Sequence, residues 1–289
     1  MTIVPPTFGQ HFTEEGELRW LAGLPGLADR LLDRWDLTRD GGPWHGFVAL
    51  VLPVRRADGT PAVLKLGWPH PEAEHEALAL SLWDGQGAVR LFEHDPGDWA
   101  MLLERLHGDH SLLDEPIDTA LDVIGGLIRR LDRPAPPRVV TLRDVAARMV
   151  HELPEDNEEE DFPVPPDLVE QAVAYCAELG PTAASRLVNQ DLHYENVLRG
   201  EREPWLVIDP KPIAGDPEWG LIALLWNRWT DAVTDRLDHL VDLTGADPDR
   251  ARRWTFVRAV ENWLGAEEDE DNPIDPAAAR AAAIAKALA

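Results

Sequence analysis

The alternation of apolar and polar positions predicts β-strands in the first third of the chain. The segment "FVALVLPVRRADGTPAVLKLGW" (47–68) has two apolar runs on either side of the loop 57–59, and this pattern predicts a β-hairpin. The segment "WAMLLERL" (99–106) predicts a further strand. Residues 71–83 predict a helix, because Pro71 suits a first turn and acidic residues fill the N-terminal half.

Helical periodicity dominates the remainder, interrupted by two short strand signals, "SRLVN" (185–189) and "PWLVIDP" (204–210). The predicted helices cover residues 117–132, 141–152, 166–179, 217–230, 232–244, 247–264 and 276–288. The chain is therefore predicted to adopt an α+β fold with two lobes. A β-rich N-terminal lobe would cover residues 1–106, and a larger, mostly helical C-terminal lobe would cover residues 107–289.

The helix predicted to begin at Pro217 has a start signal of its own. Asp216 is expected to cap it, and Pro217 fits the first helical position. Trp219, Trp226 and Trp229 recur at spacings of seven and three residues. We expect them to lie on one helix as a stripe facing the core.

Acidic residues outnumber basic ones, 53 to 27, which gives a net charge of −26. General nucleic-acid binders and proteins of anionic membrane surfaces carry the opposite sign, so we expect neither partner. A cationic small molecule would be attracted. The runs 155–161 and 267–271 are either solvated surface or a means of attracting a cationic acceptor. The first run lies in a Pro-punctuated segment, 154–166, predicted to be a linker.

The single cysteine excludes an intramolecular disulfide framework and a multi-cysteine metal site. Cys176 lies in an apolar pattern and is expected to be a buried small apolar residue rather than a nucleophile. Residues 1–12 lack the basic and apolar regions of a signal peptide. These features predict a cytoplasmic location.

Asp191, Asn196 and Asp209 are residues of the types that phosphoryl transfer uses. Carboxylate and amide oxygens suit Mg²⁺, and a carboxylate can orient and deprotonate an attacking hydroxyl. Asp191 and Asn196 follow the first strand signal of the helical region, in a loop that can aim both side chains at one spot. Asp209 lies in the second strand signal, and pairing of the two short strands is expected to bring it beside them. The alternative is that these side chains only stabilise turns.

A cation from the predicted hairpin would complete this chemistry. Strand alternation puts Val63 and Lys65 on one face, so Val63 would cover an adenine ring while Lys65 reaches the phosphates. The next helix offers Glu72, Glu74 or Glu76 as the partner of Lys65. Glu76 is favoured because it lies beside the apolar stripe of that helix.

Several of these motifs together resemble the aminoglycoside phosphotransferase family, and within it the streptomycin kinase and hydroxyurea kinase branch. The resemblance extends from about residue 40 to about residue 230. Its motifs are "GTPAVLKL" (59–66), "HEALAL" (75–80), "QDLHYENVL" (190–198), "VIDPK" (207–211) and "GDPE" (215–218).

The resemblance implies a protein-kinase-like fold and transfer of the ATP γ-phosphoryl group to a hydroxyl. By motif, Asp191 would be the catalytic base, and Asn196 and Asp209 the Mg²⁺ ligands. Lys65 and Glu76 would be the ion pair that positions the phosphates.

The resemblance also implies a nucleotide hinge at 101–106, where backbone groups near Glu104 and Leu106 would hold adenine. The loop "DGGPWHGF" contains Gly42 and Gly46. Its backbone amides would cover the phosphates, or the loop is an ordinary glycine-rich turn.

Departures from the family pattern surround the catalytic Asp. Asn189 and Gln190 replace the usual His-Gly pair, and Asn189 is expected to serve instead as a hydrogen-bonding strut. His193 is expected to brace the loop rather than bind metal. Lys211 would contact the transferred phosphate or pair with an acid, and the sequence leaves both open.

The sequence thus predicts an ATP- and Mg²⁺-dependent small-molecule kinase, with streptomycin-like aminoglycosides as the first acceptors to test. An amino sugar or another small metabolite is the alternative acceptor. Two further alternatives are a nucleotide-binding pseudokinase and an acidic protein that binds a basic partner.

Overall fold

The computed structural model describes residues 3–160, 163–265 and 276–289. It divides into two compact units. The first comprises the described residues up to Gly108 together with Arg199–Leu206, and the second comprises those of Asp109–Leu198 and Val207–Ala289. The short segment Arg199–Leu206, which we predicted in the C-terminal lobe, thus belongs to the first unit.

The first unit is built on an antiparallel sheet. Its elements are α1 (Glu15–Arg34), β1 (Leu37–Arg39), β2 (Trp44–His45), β3 (Ala49–Arg56), β4 (Pro61–Gly67), α2 (Glu76–Trp83), β5 (Leu91–Asp95) and β6 (Ala100–Glu104). The strand order is β1-β3-β4-β6-β5, and β2 pairs with β3. The hairpin and the strand near residue 100 are confirmed, whereas α1, β1, β2 and β5 were not predicted.

One face of this sheet packs against α1. Leu50 and Leu64 from the hairpin join Leu24 and Leu31 from the helix in one buried cluster. Because side chains alternate along a strand, this packing of Leu64 places Lys65 on the opposite face.

The second unit is mostly helical. The elements that follow β6 along the chain are β7 (His107–Ser111), α3 (Ile117–Leu131), α4 (Leu142–Glu159), α5 (Pro166–Leu179), β8 (Arg186–Asn189), β9 (Val197–Arg199), β10 (Trp205–Val207), β11 (Pro212–Gly215), α6 (Ala223–Trp226), α7 (Val233–Thr244), α8 (Pro248–Leu264) and α9 (Pro276–Leu288). The chain passes between units within β7, β9 and β10. No helix among the described residues is long and apolar enough to cross a membrane.

The continuous helix predicted over residues 217–230 is wrong. A 3₁₀ turn, Pro217–Gly220, precedes the four-residue α6, and Arg228 has a left-handed φ of 57°. In a continuing helix, the Leu224 carbonyl would accept the amide of Arg228. It accepts the hydroxyl of Tyr194 instead, at 3.2 Å.

The tryptophan stripe and the cap predicted there are also wrong. Trp219 is fully buried, but Trp226 and Trp229 are only half-buried. The side chain of Asp216 makes no capping hydrogen bond. Its carboxylate binds the side chain of Trp254 and other donors of the second unit.

The prediction of a linker over residues 154–166 is wrong for most of the acidic run it contains. Those residues are helical, because α4 continues through Pro154 to Glu159. Asn157 is buried, and its side chain donates to the Val164 carbonyl and accepts from the Val164 amide, both at 3.1 Å. This pair of bonds holds the following chain against the end of the helix. Asp161 and the second acidic run, 267–271, lie outside the described residues.

Candidate active site

Lys65 and Glu76 form a buried ion pair. The ammonium of Lys65 lies 2.7 and 2.8 Å from the two carboxylate oxygens of Glu76, and the residues are only 9% and 2% exposed. Glu72 and Glu74 are exposed. The pairing favoured from the sequence is therefore present, because Glu76 opens α2 on the helix's buried side.

The strand that carries Lys65 also positions Val63. Val63 is 9% exposed and pairs in register with Leu103 of β6. As predicted from the alternation, Leu64 and Leu66 belong to the sheet's buried cluster. Val63 therefore shares with Lys65 the sheet face away from α1.

Gly42 and Gly46 lie in the turns around β2. The amide of Gly46 donates to the Ala49 carbonyl at 2.9 Å and closes the β2–β3 hairpin. A Cβ added at either glycine would meet no atom within 4 Å. Neither glycine is therefore required by packing within the described residues, and the backbone of this loop is open to close approach.

Glu104 ends β6, and its carboxylate has a structural use. It accepts hydrogen bonds from the Arg202 guanidinium at 2.9 and 3.2 Å and from the Arg90 amide at 3.1 Å. The Glu104 side chain is the main cause of the raised pKa of Arg202. Leu106, two residues further on, is half-buried. A hinge role for Glu104 and Leu106 would therefore use their backbone groups rather than their side chains.

In the second unit, Asn189 anchors the loop that carries Asp191. It ends β8, which pairs antiparallel with β11. Its side-chain oxygen accepts hydrogen bonds from the backbone amides of Asp191 and Lys211, both at 3.1 Å. Asn189 therefore acts as the strut expected from the sequence, and it ties the two segments of the motif together.

The carboxylate of Asp191 lies 3.3 Å from the ammonium of Lys211. Of the two alternatives for Lys211, the structure contains the pairing with an acid. Glu195, the competing carboxylate of the loop, accepts from the Asn227 side chain at 3.2 Å and lies 3.7 Å from the His193 ring. The two carboxylates therefore have separate partners.

Asn196 is oriented by the same loop. Its side-chain nitrogen donates to the Asp191 carbonyl at 3.1 Å, and its own carbonyl accepts the Ile208 amide at 2.9 Å. Within the described residues, its Oδ1 accepts no hydrogen bond. The second bond brings the chain before Asp209 beside Asn196.

Asp209 is exposed and has a left-handed φ of 50°, a conformation that Asp tolerates better than most residues. A carboxylate and an amide oxygen fit the preference of Mg²⁺ for oxygen ligands. Within the described ranges, no group of three or more His, Cys, Asp or Glu residues is placed to hold a metal.

A buried acidic pair behind the loop was not assigned from the sequence. Asp216 accepts from the Ala184 amide at 2.8 Å, from Trp254 at 2.7 Å, and from the Arg250 guanidinium. Glu218 accepts from the Asp247 amide at 2.8 Å. Burial raises the pKa of the Glu218 carboxyl above its ordinary value. Both acids brace the scaffold below the loop.

Cys176 is buried, as predicted. Burial raises the pKa of its thiol to about 12. A thiol that ionises so poorly is a weak nucleophile.

Comparison with known proteins decides the family. Residues 34–270 match the family model described as aminoglycoside/hydroxyurea antibiotic resistance kinase. The chain belongs to this family. It is therefore a phosphotransferase, and the family, the enzyme class and the acceptor hydroxyl predicted from the sequence are confirmed.

Two curated relatives are similar over most of their length. The streptomycin 6-kinase of Streptomyces glaucescens is 42% identical over 283 residues, covering 94% of this chain and 92% of that protein. The hydroxyurea phosphotransferase of Kitasatospora aureofaciens is 43% identical over 255 residues, covering 86% of this chain and 75% of that protein.

A solved structure supports the fold. The choline kinase of Streptococcus pneumoniae matches with a TM-score of 0.59 at 12% identity, covering 90% of this chain and 98% of that one. At this identity the likeness concerns the fold alone. The predicted protein-kinase-like α+β fold is confirmed.

Proposed function

We propose that this enzyme transfers the γ-phosphoryl group of ATP, with Mg²⁺, to a hydroxyl of streptomycin. The observation that supports the acceptor is the 42% identity with the streptomycin 6-kinase of Streptomyces glaucescens over 94% of this chain. The name of that relative makes the 6-hydroxyl the first position to test. The net charge of −26 suits a cationic acceptor.

In this proposal, Asp191 takes the proton of the acceptor hydroxyl as the new O–P bond forms. The bond between the γ-phosphorus and the β-phosphate oxygen breaks, and ADP leaves. Lys211 holds the Asp191 carboxylate in place through the 3.3 Å contact. Asn189 fixes the backbone on both sides of this ion pair.

Nucleotide binding is assigned to the remaining motif residues. Lys65, held by Glu76, would contact the phosphates, and Val63 would cover the adenine. Asn196 and Asp209 would hold Mg²⁺, which when bound neutralises phosphate charge. The backbone at Gly42 and Gly46 would cover the phosphates, and that at Glu104 and Leu106 would hold the adenine.

Hydroxyurea is a second candidate acceptor. The relative from Kitasatospora aureofaciens, at 43% identity, is named as a hydroxyurea phosphotransferase. Hydroxyurea also offers a hydroxyl, but it is small and neutral. The two candidates therefore differ in whether the acidic charge of this chain contributes to catalysis.

The deciding experiment is a coupled ADP-release assay with streptomycin, hydroxyurea, other aminoglycosides and amino sugars as acceptors. We expect turnover with streptomycin that requires Mg²⁺, and NMR of the product should place the phosphate on the 6-hydroxyl. Turnover with hydroxyurea alone would select the second candidate. ATP binding without turnover on any acceptor would instead indicate a pseudokinase.

A further inference from the structure

Gln190, which immediately precedes Asp191, is held at both ends. Its side-chain oxygen accepts hydrogen bonds from the Trp219 indole at 3.0 Å and from the Arg258 guanidinium at 3.1 Å. Its backbone amide donates to the Lys211 carbonyl at 3.1 Å. Neither the side chain nor the backbone of Gln190 is therefore free to rotate without breaking a bond.

The two donors are themselves fixed. Trp219 is 1% exposed and packs edge-on against Trp254, with ring centroids 5.2 Å apart. The Arg258 guanidinium lies 4.8 Å from the centre of the Trp219 ring, a cation–π contact. Trp219 and Arg258 come from different elements, the turn Pro217–Gly220 and α8. They form a preformed donor pair for one acceptor.

The backbone beside this contact is equally close. A Cβ added at Gly220 would come within 2.7 Å of the Asn189 carbonyl oxygen, nearer than real Cβ atoms approach. Gly220 thus lets the turn lie directly against the end of β8. Two consecutive residues at the end of β8 thus contact two consecutive residues of the turn. Asn189 contacts Gly220, and Gln190 contacts Trp219.

We infer that Gln190, Trp219 and Arg258 form a positioning assembly that sets the orientation of Asp191. The inference rests on the proposed function, because it concerns the residue assigned there as the base. Among the described residues, the Asp191 carboxylate is held only by its 3.3 Å contact with Lys211. The backbone that carries it is therefore the main determinant of where the carboxylate points.

Removing the Gln190 acceptor would leave the buried Trp219 indole N–H without its acceptor. It would also remove one hydrogen bond of the Arg258 guanidinium, which keeps its ion pair with Glu261. An unpaired buried donor is costly, so the loop would shift to relieve it. A displacement of about 1 Å at a reacting group costs on the order of 10²-fold in rate. The expected signature is a loss in kcat, with little change in the KM for ATP.

The test compares Gln190→Leu with Gln190→Glu. The Leu variant removes the acceptor at similar size, whereas the Glu variant keeps an oxygen opposite the Arg258 guanidinium. Gln171→Leu is the matched control, since Gln171 lies on α5 and its side chain donates to the Tyr175 hydroxyl of the same helix. Steady-state kcat and KM are measured with ATP and streptomycin, or with hydroxyurea if only that is a substrate, and Tm is measured for each variant.

We expect Gln190→Leu to lower kcat by at least about 10-fold, and Gln190→Glu to stay within about 3-fold of the parent. Parental kcat in a folded Gln190→Leu variant would overturn the inference, as would equal losses in the Leu and Glu variants. If the Leu variant does not fold, Arg258→Met replaces it, and an unchanged kcat there overturns the inference. A parent without turnover on any acceptor would instead refute the proposed function.

Discussion

The ammonium of Lys211 lies 3.3 Å from the carboxylate of Asp191, and the two side chains are about equally exposed. Lys211 follows Asp209 by two residues, so one short segment supplies both a proposed metal ligand and the cation beside the base. The pair is solvent-accessible, and its free energy is therefore modest. We expect it to orient Asp191 rather than to stabilise the fold.

Lys211→Met should lower kcat by roughly 3- to 10-fold and leave Tm nearly unchanged, because an exposed pair contributes at most about 1 kcal/mol. Lys286→Met is the control, since Lys286 lies over the Trp263 ring on a distant helix, α9. Steady-state kinetics measure kcat, and thermal unfolding measures Tm, for both variants and the parent. A large fall in Tm without a change in kcat would contradict the orienting role.

Asp191→Asn keeps the shape of the side chain and removes the base. It should lower kcat by roughly 10²- to 10⁴-fold with ATP binding nearly unchanged. Glu195→Gln should do far less, because Glu195 interacts with Asn227 and His193 instead. Single-turnover transfer to the identified acceptor measures both. The assignment fails if the Glu195 variant loses transfer and the Asp191 variant retains it.

Lys65 and Glu76 should behave as one unit. Each side chain neutralises the buried charge of the other, so Lys65→Met and Glu76→Gln should each lower stability and kcat/KM for ATP. The double variant should cost less than the sum of the single ones. A double-mutant cycle measured by both unfolding and kinetics tests this. Strict additivity would be evidence against mutual positioning.

Asp209→Ala should abolish Mg²⁺-dependent nucleotide binding, because the Asn196 oxygen alone is a poor site for the ion. Calorimetric titration with ATP, with and without Mg²⁺, measures the loss. Asp242→Ala, an exposed site on α7, is the control. Parental affinity for ATP with Mg²⁺ in the Asp209 variant would show the metal assignment to be wrong.

The buried carboxyl of Glu218 makes the stability of the fold depend on pH, and the direction follows from its raised pKa. Burial raises its pKa above the ordinary value of 4.5, so between that value and the folded pKa the folded chain binds more protons at this carboxyl than the unfolded chain does. The stabilisation that the Glu218 carboxyl contributes is therefore fully present at pH values below 4.5. It is lost as the pH rises through the pKa of the folded state.

Glu218→Gln keeps an oxygen for the Asp247 amide and cannot ionise. Its Tm relative to the parent should therefore be higher at pH 7 than at pH 4.5. Thermal unfolding at both pH values provides the measurement. If the Tm of the variant differed from that of the parent by the same amount at both pH values, Glu218 would not titrate within this range.

The fold and the motif residues were largely predictable because their signals are local. The alternation around Lys65 and the apolar periodicity that follows Glu76 each span a few residues, and together they predicted a pair that the structure contains. The 14-residue α5 was predicted with its observed bounds, since its apolar stripe is unbroken and Pro166 marks its start.

What was missed depends on distant contacts. Helix α1 contains Pro25, which disfavours a helix locally, yet burial of Leu24 and Leu31 in the sheet's core stabilises it. Where the helix ends after α6, the Leu224 carbonyl accepts the hydroxyl of Tyr194, 30 residues away in sequence. The partners of Gln190 lie 29 and 68 residues away, so no local pattern could indicate them.

The buried thiol of Cys176 makes this chain convenient for site-directed labelling. With a pKa of about 12, on the order of 10⁻⁴ of the thiol is ionised at pH 8, and thiol reagents require the ionised form. A cysteine introduced at Gly42, where a Cβ meets nothing within 4 Å, would react with maleimides while the native one stays silent. A fluorophore there would test whether this loop covers the nucleotide as proposed, because its emission should then change when ATP binds.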